Sequence, residues 1–200
     1  MTDHPIPSRE AAWDILTEFT QNEQLRKHAL AVEACMRALA RHYGEDEELW
    51  GVVGLIHDFD YEKFPIIPDH ATQGAEILRQ RGWPEEIVRA MLGHATYTGT
   101  PRDTLMAKSL FAVDELSGMM IGVALVRPDK SFKTMEAKSV RKKMKDKAFC
   151  RAVNREELLQ GAQELGWELD DLITYLIGEL AKVEGTLGLG GGGQQGLSSM

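Results

Sequence analysis

The stretch Gly51-Val52-Val53-Gly54-Leu55-Ile56-His57-Asp58 decides how this chain is read. An apolar run ends abruptly in a histidine and an aspartate. Burying two ionisable groups at the end of a core helix is unfavourable unless each gains a partner. A divalent ion is such a partner, because it takes an imidazole nitrogen and a carboxylate oxygen together. Other segments must then supply the remaining ligands.

Working outward, Asp46 reads as the cap of the helix that carries Leu49, Val52, Val53 and Ile56 into His57. Before it, Asn22 caps a longer helix to about Tyr43, closed by Gly44. Leu25, Ala29, Val32, Cys35, Met36 and Leu39 recur on it at helical spacing, and His28 falls on the same stripe. Pro7 and Ser8 precede a first helix, about Arg9 to Phe19, with Trp13, Leu16 and Phe19 inward. Downstream, Pro65 and Pro68 mark residues 59–69 as a loop. His70 opens the next helix, ended by Gly82, and Pro84 starts another that leads to His94. Asp103 or Thr104 caps a sixth, with Leu105, Leu110, Phe111 and Val113 inward and Asp114 beside them. Gly118 and Gly122 are expected to loosen it before Arg127-Pro128 ends it.

Residues 131–149 read as a basic helix with a stripe of Ala137, Val140, Met144 and Ala148. Asn154 with Glu157 resembles a capping box before a helix ending at Gly166. Residues 170–184 form the last helix. With no strand alternation and no repeat, the fold class is all-α. We expect a single domain over residues 9–188, with a core at about 22–122 and a C-terminal helical extension at about 129–188. Residues 189–200, rich in Gly, Gln and Ser, are expected to be a flexible tail without function. Trp13, Trp50, Trp83 and Trp167 read as core anchors.

A hydrophobic fraction of 43% and 27% charged residues suit a soluble domain with a sizeable core. The net charge of −8 argues against general nucleic-acid binding. No apolar run is long enough for a membrane span, and from Met1 to Pro5 no signal peptide is expected. Cys35 and Cys150 form no CxxC pair, which fits a reducing cytoplasm and excludes a cysteine-built zinc site.

His28, His57, Asp58, His70, His94 and Asp114 all interrupt inward-facing stripes or mark helix ends. Singly, each has an ordinary reading as a core histidine, helix-end residue or salt-bridge partner. Jointly they place four imidazoles and two carboxylates on five segments. His4 and His42 are the histidines left over.

This pattern resembles the HD superfamily of metal-dependent phosphohydrolases, a fold built as a helical bundle. Its H…HD…D signature is matched by His28, His57-Asp58 and Asp114, and the resemblance covers roughly Asn22 to Ile121. Some branches add two histidines between the HD pair and the last aspartate, and His70 and His94 match them. In those branches the HD aspartate bridges two ions. By resemblance, His28, His57 and Asp114 complete one site, and His70 and His94 hold the other. His57 and Asp58 then carry the catalytic role. The Gly-Lys that several branches carry after the HD pair is missing here, and the lysine is displaced to Lys63. The Gly-Tyr-Pro of the cyclic-di-GMP branch is also absent, which argues against that substrate.

The expected cofactor is one or two divalent ions. Imidazole-rich ligation suits iron, manganese, zinc, cobalt or nickel better than magnesium; the resemblance favours iron or manganese. Such ions lower the pKa of a bound water and offset phosphoryl charge. Two carboxylates against two dications leave the site net positive by formal count, which suits an anionic substrate. The expected reaction is hydrolysis of a phosphate ester or anhydride of a nucleotide or related small molecule. Residues 130–155 hold ten Lys/Arg against Glu136 and Asp146, a net of +8 that leaves −16 elsewhere. Arg127, Lys130, Lys138 and Arg141 are phosphate-binding candidates there, with Lys63 near the ions; the ordinary reading is a solvated basic face. Glu115 and Tyr97 are further candidates for proton transfer or substrate contact. The alternatives are a di-iron oxygenase of the same fold, a one-metal phosphatase and a non-catalytic nucleotide sensor.

Overall fold

The computed structural model describes residues 6–151 and 153–191, and nine α-helices and no strand occur among the described residues. They are α1 (Arg9–Phe19), α2 (Glu23–Tyr43), α3 (Glu47–Ile56), α4 (Asp69–Gln80), α5 (Glu85–His94), α6 (Leu105–Leu125), α7 (Ala137–Met144), α8 (Arg155–Leu165) and α9 (Leu169–Val183). The all-α expectation holds. Among the described residues no helix is long and apolar enough to cross a membrane.

The caps read from sequence form as the chemistry predicts. Asn22 Oδ1 accepts from the backbone N–H of Gln24 and Leu25, and Asp46 Oδ1 from Glu48 and Leu49. Thr104, rather than Asp103, caps α6. Asp103 instead pairs with Arg89.

α3 is the centre of the bundle. Every residue from Trp50 to His57 is buried, which is why this run lacks a polar face. α2 lies along it, α1 and α5 flank it, and α6 packs on α2 and α5. Close approach of α2 depends on Gly54, where an added Cβ would sit 3.0 Å from the Glu33 Cα and the Val32 carbonyl. Of the tryptophans, Trp50 is fully buried, while Trp13, Trp83 and Trp167 pack against the core half-covered.

The C-terminal extension packs on α6 through α7 and α8 and on α2 through α9, and here three expectations change. Gly118 and Gly122 leave α6 unbroken to Leu125; they are close-contact positions, with Cys150 Sγ only 2.5 Å from where a Gly122 Cβ would stand. The basic stretch 131–149 is helical only over Ala137–Met144, with Val140 as its buried residue. On one side, Glu184 accepts from Ser131 Oγ (2.8 Å) and Phe132 N (3.0 Å) and turns Phe132 into the core. On the other, Arg155 donates to the carbonyls of Asp146, Phe149, Cys150 and Val153. Carbonyls held by a guanidinium are not free to continue a helix. The Asn154 cap forms, but Glu157 reaches Thr96 instead of closing a capping box.

Leu187 and Leu189 are buried, and Gly190 N donates to Lys130 O (2.8 Å), so the packed chain runs past residue 188. Residues 192–200 of the expected tail lie outside the described residues.

α8 crosses α6 at Gly161, whose added Cβ would fall 2.6 Å from the Ala112 Cα. Backbone cannot yield as a side chain would. Gly161→Ala is expected to destabilise the protein by about 1–3 kcal/mol through overpacking. A denaturant titration reads this directly; an unchanged midpoint would mean that α8 shifts freely.

Candidate metal centre

Three helix ends and two helix interiors converge on one point. His57 follows the last turn of α3 and donates its Nδ1–H to Gly54 O at 2.8 Å. His94 ends α5 and makes the same kind of bond to Met91 O. These bonds fix the tautomer and leave Nε2 of each ring facing inward. His28 comes from α2 and Asp114 from α6.

His70 does not begin a regular helix. Its backbone is extended (φ −53°, ψ 144°), and Ala71 has φ 60°. The cause is Asp60, a carboxylate that is 0% exposed. Asp60 Oδ2 accepts from the N–H of Ala71 (2.9 Å) and Gly74 (3.0 Å), capping the regular part of α4 from outside. Its Oδ1 accepts from His70 Nδ1 (3.1 Å). Gly74 is required, because a Cβ there would stand 2.8 Å from the Asp60 carboxylate. Asp60 was not among the residues singled out from sequence. The signal was available in principle: a ligating imidazole needs an acceptor for its second nitrogen, and an aspartate follows the HD pair by two residues.

Two groups result, and Asp58 belongs to both. In the first, His28 Nε2 lies 3.2 Å from His57 Nε2 and 3.0 Å from Asp114 Oδ1. His57 Nε2 is 3.3 Å from Asp114 Oδ1 and 3.5 Å from Asp58 Oδ2, and His28 Nε2 is 4.0 Å from the same Oδ2. In the second, Asp58 Oδ1 lies 3.1 Å from His70 Nε2 and 3.2 Å from His94 Nε2. Ligand atoms about 2.1 Å from one ion stand roughly 3.0–3.4 Å apart, for right-angle to tetrahedral geometry. Most of the separations agree. Asp58 Oδ1 is buried without a hydrogen-bond partner, the condition expected of an oxygen whose partner is an ion. The nitrogen and oxygen donors therefore fit two transition-metal ions.

The electrostatics agree. Burial pushes the His57 imidazole down, but Asp58 and Asp114 outweigh it and raise its pKa well above the ordinary value. Despite burial, Asp58 and Asp114 are in turn held below the carboxylate range, chiefly by His57. His70 is raised to about 9, as Asp58 and Asp60 overcome its burial. A cluster so arranged requires positive charge at its centre.

The group opens into a cleft of about 410 Å³. His28, Asp58, His70, His94 and Asp114 form its floor, and Glu115, Glu157, Tyr61, Tyr97, Phe111 and Ile67 are among its walls. Tyr97 Oη donates to His70 O (2.8 Å), and the Tyr61 ring packs edge-on to His70. Burial, then the neighbouring Asp114, Glu157 and Asp58, push Glu115 up to about 8, and burial raises Tyr97 to about 12. Glu115 and Tyr97 were candidates from sequence; Glu157, Tyr61, Phe111 and Ile67 were not, because only folding brings them to the rim.

No Lys or Arg lines this cleft among the described residues. The five phosphate-binding candidates are placed elsewhere, Lys130 being exposed and apart from the cleft. Lys63 Nζ sits 3.9 Å over the Phe19 ring, and Arg127 bonds Asp129 and Thr134. Lys138 pairs with Glu136 (2.5 Å) and Arg141 with Asp170 (3.1 Å). The formal count also changes. Glu157 adds a third carboxylate beside Asp58 and Asp114, while Glu115, pushed up to about 8, is largely protonated at neutral pH, so two dications leave the formal count lower but still positive. His42, left over in the sequence, packs among Tyr43, Trp167 and Tyr175.

The HD domain family model matches residues 25–119, the span that holds all six clustered residues. This segment is an HD domain. HD domains make up a superfamily of metal-dependent phosphohydrolases. The HD protein is also 32% identical over 124 residues to Ribonuclease Y of Lawsonia intracellularis (strain PHE/MN1-00). That match covers 60% of this chain and 23% of the relative, so the chain spans under a quarter of the relative's length.

Proposed function

We propose that this HD protein is a metal-dependent phosphohydrolase that cleaves a phosphate ester or anhydride of a nucleotide or related small molecule. The observation that carries the reading is the division of Asp58, with Oδ2 toward His28 and His57 and Oδ1 toward His70 and His94. Bound divalent ions, iron or manganese by preference, would supply an activated water and charge stabilisation at the phosphoryl group. The chain supplies the rest. The carbonyls of Gly54 and Met91 and the Asp60 carboxylate orient three imidazoles. Burial of those rings keeps bulk water from competing for the ions.

The shared segment with Ribonuclease Y supports phosphodiester chemistry as a class. A cleft without Lys or Arg supports a small substrate better than an RNA strand, whose phosphates call for a basic track. The same lack of cations favours one competing reading, a di-iron oxygenase acting on a small organic molecule.

The deciding experiment measures phosphate release from phosphomonoesters and nucleotides by iron- or manganese-loaded protein, with oxygen consumption followed in parallel. His57→Ala is expected to reduce release by at least about a hundredfold. Undiminished release in that variant would sink the assignment, and oxygen uptake without phosphate release would favour the oxygenase. Chelation of the ions is expected to lower the melting temperature as well as activity, because ions bind the folded state selectively. Restoring manganese should reverse both effects.

A further inference from the structure

The walls of the cleft combine apolar and acidic side chains. Tyr61, Ile67, Tyr97 and Phe111 supply the apolar surface; Glu115 and Glu157 supply the carboxyl groups. Ile66 and Ile67 are 71% and 62% exposed beside this mouth. Two adjacent, exposed isoleucines at the rim of a polar site are better suited to contact with a ligand than with water. The basic segment does not reach in to balance the acids, since Arg127, Lys138 and Arg141 are engaged with their own carboxylate partners. A substrate group bearing a second negative charge would therefore meet the Glu157 carboxylate with no cationic side chain among the described residues to receive it.

We propose that the cleft selects a molecule with a single phosphoryl group on an uncharged, apolar or planar moiety, which packs against Tyr61, Ile67 and Tyr97 while Glu157 rejects further negative charge. The phosphoryl headgroup rests on the phosphohydrolase reading; the selection for its organic portion rests on the walls. Glu157 is a specificity-determining residue in this view. Its Oε1 accepts from Thr96 Oγ1 (3.3 Å), a bond that glutamine can keep, so Glu157→Gln removes charge without removing the contact.

The test is equilibrium binding to the full manganese-loaded chain, which needs no turnover. Three non-hydrolysable probes are compared: methylphosphonate, phenylphosphonate and 4-carboxyphenylphosphonate. Phenylphosphonate is expected to bind about tenfold tighter than methylphosphonate, from ring burial. The carboxylated probe should bind several-fold more weakly than phenylphosphonate, and Glu157→Gln should close that gap. Ile67→Ser, a change at an exposed position, should reduce the preference for phenyl over methyl.

Equal binding of methyl and phenyl probes, or stronger binding of the carboxylated one, would overturn the proposal. So would no binding by any of the three. A gap that persists in Glu157→Gln would overturn the role of Glu157. Binding in the expected order without phosphate release from any ester would defeat the hydrolase reading and leave this one standing. Phosphate release with the opposite order would do the reverse.

Discussion

Asp58→Ala is expected to deprive the protein of both ions at once. Each of its carboxylate oxygens faces a different histidine set, and no other residue belongs to both groups. Without it, the second group is reduced to His70 and His94, and the first to His28, His57 and Asp114. Those remainders are poor sites, and the four imidazoles lose a carboxylate that offsets the ions' charge. Metal content measured on protein purified without chelator should fall from two ions per chain to near none. Phosphate release should fall by about a thousandfold or more, equivalent to several kcal/mol of lost transition-state stabilisation. His94→Ala is the contrasting variant, expected to weaken chiefly the ion shared by His70 and Asp58. Asp58→Ala protein that keeps both ions would refute the bridging role.

Asp60→Asn should silence the second position while leaving the fold almost untouched. An asparagine can point its oxygen at the Ala71 and Gly74 N–H groups, so the start of α4 keeps its cap. Its amide nitrogen then faces His70 Nδ1, where a carboxylate oxygen stood. Two donors cannot share that contact, so the imidazole proton moves to Nε2, the atom that faces Asp58. An Nε2 that carries a proton cannot ligate. The second ion should therefore bind about 10–100-fold more weakly, the usual effect of losing a ligand's supporting partner. A calorimetric metal titration resolving the two events reads this, and unchanged affinity for both would defeat the argument. Asp60→Ala separates orientation from capping. It strands two buried N–H donors, so stability should also fall, by roughly 3 kcal/mol.

Much of the frame was legible in the chain. Asn22, Asp46 and Gly44 bound their helices where the capping rules put them, because caps are local chemistry. The apolar run of α3 had to be central, since it has no face to offer water. The basic segment was less legible. Its helical stripe was real over Ala137–Met144 only, because Glu184 and Arg155, distant in sequence, claimed the flanking backbone.

For the candidate site, residue types along the chain already set the chemistry of the floor. Histidines and aspartates set into apolar stripes at helix ends had few ways to remain buried, and shared divalent ions would satisfy them all. Tertiary structure alone decided the rest. It divided the two oxygens of Asp58 between the groups and made Asp60 the partner of His70. It brought Glu157 of α8 beside Glu115 of α6, lowered the expected net positive charge, and left Lys63, Arg127, Lys130, Lys138 and Arg141 outside. Ligand identity follows from residue type and burial pattern, which are written along the chain. Charge balance in a cleft depends on which distant side chains share its walls, and only the packing of α6 against α8 sets that.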